Sequence, residues 1–266
     1  MLSDFHPDEN NNGESINNHI SLFEEYENEL PSLTEALKQL FRSVENNDKK
    51  VEELANYILD KCYRTIDRNY NQISLAFNNI SKNDAYIICS YTCESKNYSY
   101  SPYKILNQNL IAKNRREGIS KVSKYFYLLL KTLRKLPRFY PPKNNNYLYR
   151  SIGEKVKISN DPFNEGFIPY IAGNQKTFWT FLSVTPNQKE SYKFLRNDGG
   201  NKSGTIFTIG GDIWGYDIKL FSYYGEKEII LEPERKYKID IAMPEINGII
   251  NVICSILTTP IVLDNN

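Results

Sequence analysis

The sequence predicts an α+β fold, with helices first and strands in a largely antiparallel sheet system after them. Up to about residue 140 the apolar residues recur at helical spacing. From Tyr147 onward they come instead in short runs of β type, punctuated by Gly, Asn, Asp and Pro. Composition supports a packed structure. Of 266 residues, 40% are hydrophobic and 13% aromatic, including 20 Tyr and 13 Phe, which is enough for a sizeable core and excludes wholesale disorder.

Four helical segments are expected. Between Leu22 and Val44, residues Leu30, Leu33, Leu37, Leu40, Phe41 and Val44 share one face, and Pro31, Ser32 and Glu35 read as a helix start. Val51 to Ile66 repeats the spacing through Leu54, Ile58, Leu59, Cys62 and Ile66. Ser81 to Asp84 reads as a cap, followed by the apolar run Ala85 to Tyr91. Ile119 to Leu136 is the strongest, with Val122, Phe126, Leu129, Leu130 and Leu133 on one side and Pro137 beyond its end.

The strand candidates are Tyr147 to Ile152, Thr177 to Val184, Gly204 to Ile209, Tyr216 to Phe221, Glu228 to Leu231, Tyr237 to Ala242 and Ile249 to Ile256. The expected organisation is a polar, flexible leader over 1–20 and one domain over 21–266. Its helical half covers about 21–140 and its strand-rich half about 147–263.

Several functions are disfavoured. The formal net charge is +1, from 33 basic and 32 acidic residues, which argues against a nucleic-acid binder driven by phosphate neutralisation. No run reaches the roughly 20 apolar residues that span a bilayer. The start carries no basic-then-apolar secretory pattern, so a cytoplasmic location is the default. Ile249 to Leu263 reads as a terminal strand, with a lipid-anchor signal tail as the alternative. Cys62, Cys89, Cys93 and Cys254 do not follow zinc-site spacing, and His6 and His19 lie in the polar leader, so no metal is expected. Glycine pairs Gly199-Gly200 and Gly210-Gly211 are turn residues and make no dinucleotide fingerprint.

Three segments of the strand-rich half carry chemistry. In Leu148-Tyr149-Arg150-Ser151-Ile152 an arginine sits inside an apolar strand, where it must be paired or hold an anion. Phe178 to Pro186 is an aromatic run ending in Leu182-Ser183-Val184-Thr185, whose two hydroxyls alternate onto one strand face. Gly225-Glu226-Lys227-Glu228 opens the apolar run Ile229-Ile230-Leu231 and ends at Glu232-Pro233, with two carboxylates one residue apart.

In this order the three segments resemble the Arg–Ser–Glu class of mono-ADP-ribosyltransferases, which includes clostridial binary-toxin enzymes and vertebrate arginine-specific ecto-enzymes. The likeness runs over roughly residues 80 to 245. Asn83-Asp84-Ala85 with Tyr91-Thr92-x-Glu94 is similar to the helix leading to the NAD site, and Tyr103, Asn107 and Leu110 to the helix after it. Asp217-Ile218 and Ser222-x-Tyr224 are similar to the approach to the glutamates. Ile111 stands where the family often has Arg, and Ser183-Val184-Thr185-Pro186 replaces a Ser-Thr-Ser element.

The resemblance implies an ADP-ribosyltransferase-like core of two packed, mainly antiparallel sheets with an N-terminal helical part. It implies NAD as co-substrate, an arginine-bearing protein as partner and no metal. Glu228 would stabilise the oxocarbenium-like ribose through its 2′-hydroxyl. Glu226 would recognise the acceptor guanidinium. Arg150 would hold the NAD phosphates, and Ser183, supported by Thr185, would orient the nicotinamide ribose and Glu228. Phe194 would stack on nicotinamide and Arg196 would meet a phosphate. Asn107 is an NAD-side candidate, and Tyr223 and Tyr224 would touch the target protein. NAD hydrolysis, or an NAD-binding interaction module without turnover, are the alternatives.

Overall fold

A computed structural model describes residues 15–158 and 170–257. The described residues form two compact units, 15–137 with 216–227, and 138–158 and 170–215 with 228–257. The first is helical and the second is built of strands, so the expected α+β class holds.

In the helical unit a 3-10 helix over Ile16–Phe23 precedes α1 (Glu25–Asn28). Of the polar leader expected over 1–20, residues 1–14, with His6, lie outside the described residues; Ile16, His19 and Phe23 are buried. The chain then breaks before α2 (Leu33–Arg42), because Ser32 closes a capping box with Glu35, accepting from its backbone N at 3.2 Å. The Leu22 to Val44 run is therefore not one helix. Leu30 and Val44 fall outside α2 and are exposed, while Ala36, Leu37, Leu40 and Phe41 form its buried face.

Helix α3 (Asp48–Ala76) extends ten residues past the predicted end. Ser81 caps α4 (Lys82–Thr92) through a second box, with Asp84 also receiving Lys135 at 2.6 Å. Pro102 starts α5 (Pro102–Leu110), and Asn114 caps α6 (Arg115–Leu133). Gly118 lets α6 pass the end of α5: a Cβ there would lie 2.2 Å from the Asn109 carbonyl oxygen.

Linear spacing kept the cysteines apart, but α3 packs on α4 and brings three together. Cys62 Sγ lies 3.8 Å from Cys93 Sγ, and both lie near Cys89. Hydrogen bonds from the Cys62 and Cys93 thiols hold the Cys89 thiol down to about 5.

Beyond residue 137 the elements are β1 (Arg138–Phe139), β2 (Leu148–Ile152), β3 (Gln175–Phe178), β4 (Leu182–Val184), α7 (Gln188–Ser191), β5 (Arg196–Asp198), β6 (Asn201–Gly211), β7 (Gly215–Asp217), β8 (Ile229–Leu231), β9 (Arg235–Ile246) and β10 (Ile249–Ile256). The larger sheet runs β2-β6-β10-β9-β3, with β5 on β6; the smaller runs β1-β7-β8-β4. β2 and β5 with β6, β9 with β10, β3 with β9 and β4 with β8 pair antiparallel, and β10 with β6 pairs parallel. Leu148, Ile152, Phe178, Leu182, Val184, Phe207, Ile229, Leu231, Tyr237 and Val252 share one core drawn from both sheets, with Phe178 stacked on Tyr237 at 3.9 Å. Gly215 meets β8 so closely that a Cβ would lie 2.7 Å from the Ile230 carbonyl oxygen.

The run Thr177 to Val184 is two strands rather than one. β3 pairs with β9 in the larger sheet and β4 with β8 in the smaller, and buried Trp179, Thr180 and Phe181 carry the chain between them. A uniformly apolar run conceals this crossing, because both strands are buried. The Tyr216 to Phe221 run is a strand only through Asp217 and then a turn. Glu228 precedes β8, so neither glutamate of the pair lies in a strand as assigned. Residues 258–263 of the expected terminal strand lie outside the described residues. Among the described residues no helix is long and apolar enough to cross a membrane.

Candidate active site

Strand alternation fixes where Arg150 points. Leu148 and Ile152 belong to the core between the sheets, so Arg150, between them in β2, projects to the same side. It is 5% exposed, and its Nη1 donates to the Ser183 carbonyl oxygen at 3.1 Å. A buried guanidinium needs such partners, since desolvating it unpaired costs far more than one hydrogen bond returns.

The same residue of β4 serves a second strand. Ser183 is the register partner of Ile230 in β8. Glu228 lies two residues before Ile230 and so faces the side that Ser183 faces. The Ser183 hydroxyl donates to Glu228 Oε1, and Glu228 is 3% exposed. Ser183 thus links the arginine strand, through its carbonyl, to the glutamate, through its hydroxyl.

Thr185 continues β4 into a bridge with β2. Tyr149 N donates to the Thr185 carbonyl at 2.8 Å, and Thr185 N to the Tyr149 carbonyl at 2.9 Å. Pro186 does not break this bridge. The Thr185 hydroxyl accepts from Asn187 N at 3.3 Å. An open cleft of about 530 Å³, lined by Asn145, Tyr149 and Pro186 to Lys189, adjoins this end of β4.

Phe194 and Arg196 do not lie in an open loop. Phe194 ends a 3-10 turn and is half-buried. Arg196 opens β5 and is exposed, with its Nε 2.8 Å from Asp198. Its backbone lies against Gly153, just beyond β2. The turn between β5 and β6 uses Gly199 and Gly200 at φ +60 and +94, as a tight hairpin requires.

The remaining candidates belong to the helical unit. Asn107 is buried on α5, on the face that also buries Tyr103 and Leu110. Tyr223 N donates to Thr92 Oγ1 at 2.9 Å, and Tyr224 Oη to Glu94 at 2.8 Å. The two rings meet edge to face at 5.0 Å, and Lys61 Nζ lies 4.5 Å from the Tyr223 ring centre. Burial, then the Glu94 carboxylate, pushes the Tyr224 phenol well above its ordinary value. Glu226 is half-buried and lies outside any strand.

Two further arginines, Arg115 and Arg235, are buried without any signal in the sequence motifs. Arg235, 2% exposed, stacks on Trp214 at 4.3 Å, and Arg138 approaches the same ring at 4.1 Å. Arg115 donates through Nε to the Leu110 carbonyl at 3.0 Å, satisfying the end of α5. Both begin an element on its buried face: Arg235 alternates with Tyr237 and Ile239 in β9, and Arg115 lies four residues before Ile119 on α6.

No family model and no curated protein sequence matches the chain. Solved structures do. The ADP-ribosyltransferase HopU1 of Pseudomonas syringae pv. Tomato DC3000 is 16% identical, with 75% of this chain and 87% of that one covered at a TM-score of 0.52. The type III effector XopAI from Xanthomonas axonopodis pv. citri, in a form lacking 70 N-terminal residues, is 12% identical, with 90% and 95% covered at 0.50. At such identities the likeness concerns the backbone: the chain has the α+β fold of the ADP-ribosyltransferases.

Proposed function

We propose that the chain transfers ADP-ribose from NAD to arginine side chains of a target protein, with release of nicotinamide. The observation that carries this reading is the contact of Ser183 with a buried Glu228, beside the carbonyl that receives Arg150. A carboxylate held in an apolar setting stabilises positive charge developing on a ribose more strongly than one in water. Hydrogen bonding by Ser183 keeps it oriented toward one place. Arg150 supplies a guanidinium suited to a pyrophosphate.

Glu226, two residues earlier, takes the acceptor. A carboxylate matches the planar guanidinium fork and can accept its proton as the nitrogen attacks. Tyr223 and Tyr224 stack on the incoming side chain or its neighbours.

Labelled NAD and agmatine, a small guanidinium acceptor, test the reading. The unsubstituted chain should label agmatine, and Glu226→Gln should lose labelling while still releasing some nicotinamide. Equal agmatine labelling by Glu226→Gln would remove the acceptor assignment.

A further inference from the structure

We propose that Cys62, Cys89 and Cys93 form a binding site for a single thiophilic cation of the Zn2+ or Cu+ class. All three side chains are fully buried in the helical unit. Their sulfurs lie within 4.8 Å of one another, and Cys62 and Cys93 are 3.8 Å apart. A metal–sulfur bond of about 2.3 Å, repeated to three sulfurs at tetrahedral or trigonal angles, requires sulfurs about 3.8 to 4.0 Å apart. The cluster therefore accepts an ion with a contraction of about one ångström at most.

The donor set defines the class of ion. Three sulfurs without a carboxylate or an imidazole select soft cations over Mg2+ or Ca2+. Cys89 lies in the last turn of α4, Cys93 is the residue that caps its C-terminus, with its N–H bonded to the Ser90 carbonyl, and Cys62 reaches them from α3. Lys61, next to Cys62, donates to the Glu94 carbonyl at 2.7 Å, one residue past Cys93, and brings positive charge to offset thiolate.

The position gives the ion a structural role. Thr92 and Glu94 flank Cys93 and hold Tyr223 and Tyr224. An ion at the cluster braces the 216–227 segment from inside its own unit. Because the sulfurs are buried, binding couples to folding and raises the stability of the loaded chain.

The reduced, metal-free full-length chain is titrated without oxygen with Zn2+ and, separately, with Cu+. Bound ions are counted by mass spectrometry and their ligands by X-ray absorption. One ion per chain is expected, with three sulfur ligands at about 2.3 Å, a raised melting temperature and slower amide exchange at Tyr223. Cys89→Ser should lose the ion and Cys254→Ser, a buried cysteine of β10, should keep it. Should Cys89→Ser fail to fold, the sulfur count on the unsubstituted chain decides. Uptake of one ion alone identifies it. Uptake of neither, a nitrogen or oxygen shell, or a Cys62–Cys93 disulfide in chain isolated without oxygen overturns the site.

Discussion

The Ser183 hydroxyl donates to the Glu228 carboxylate from the strand that faces it across the smaller sheet, while the Ser183 carbonyl receives Arg150. One residue thereby holds both a buried anion and a buried cation in place. Removing the hydroxyl while keeping the backbone separates the two tasks. Ser183→Ala should lower kcat on the order of tenfold to a hundredfold, the worth of a hydrogen bond to a charged group at roughly 1.5–3 kcal/mol. Arg150 should stay in place, so KM for NAD should change little. Steady-state nicotinamide release at several NAD concentrations checks the split.

Arg150→Lys should act on the other term. Lysine keeps the charge but lacks the planar fork with which Arg150 bonds the Ser183 carbonyl and, on the proposed reading, would meet a pyrophosphate. KM for NAD should rise about tenfold or more, on the same hydrogen-bond scale, with kcat less affected. A titration of NAD against intrinsic fluorescence measures the binding directly.

Gly118 tests the packing of the helical unit. Helix propensity alone favours alanine there by about 1 kcal/mol. A Cβ only 2.2 Å from the Asn109 carbonyl oxygen forces backbone to move, and overpacking costs typically about 1–3 kcal/mol. The strain wins, so Gly118→Ala should lower the denaturation midpoint, which urea unfolding followed by circular dichroism reads. A rise in midpoint would show that α5 and α6 yield at their crossing.

Tyr224 carries a pH dependence. Burial, then its bond to Glu94, raises its phenol pKa in the folded chain. The folded state holds that proton more tightly, so the contact stabilises fully below the ordinary tyrosine value of about 10 and is lost as pH climbs through the raised one. Tyr224→Phe should flatten the alkaline loss of stability while leaving the neutral side less affected. Melting curves from neutral pH to above the tyrosine range show which occurs.

Much of this fold is legible in the sequence because local rules act there without competition. Ser32 with Glu35 and Ser81 with Asp84 state their caps outright, and Leu148 to Ile152 and Ile249 to Ile256 end where their patterns end. The sequence places Arg150, Ser183 and Glu228 on or beside separate strand runs; only the pairing of β4 with β8 and the alternation of β2 join them. What stayed hidden is tertiary. The strand change at Trp179 to Phe181 lies inside one apolar run. The meeting of Cys62 with Cys89 and Cys93 has no linear signature. Arg235 became buried because Trp214 offers it a ring face.

The most direct measurement of the central claim is nicotinamide release from NAD by the unsubstituted chain and by Glu228→Gln, with folding of both verified by circular dichroism. Gln keeps the volume of Glu228 and can still bond Ser183, but it lacks the charge that a developing ribosyl cation needs. The unsubstituted chain should release nicotinamide with and without agmatine, and Glu228→Gln should lose both activities. Unchanged release by a folded Glu228→Gln chain would contradict that claim.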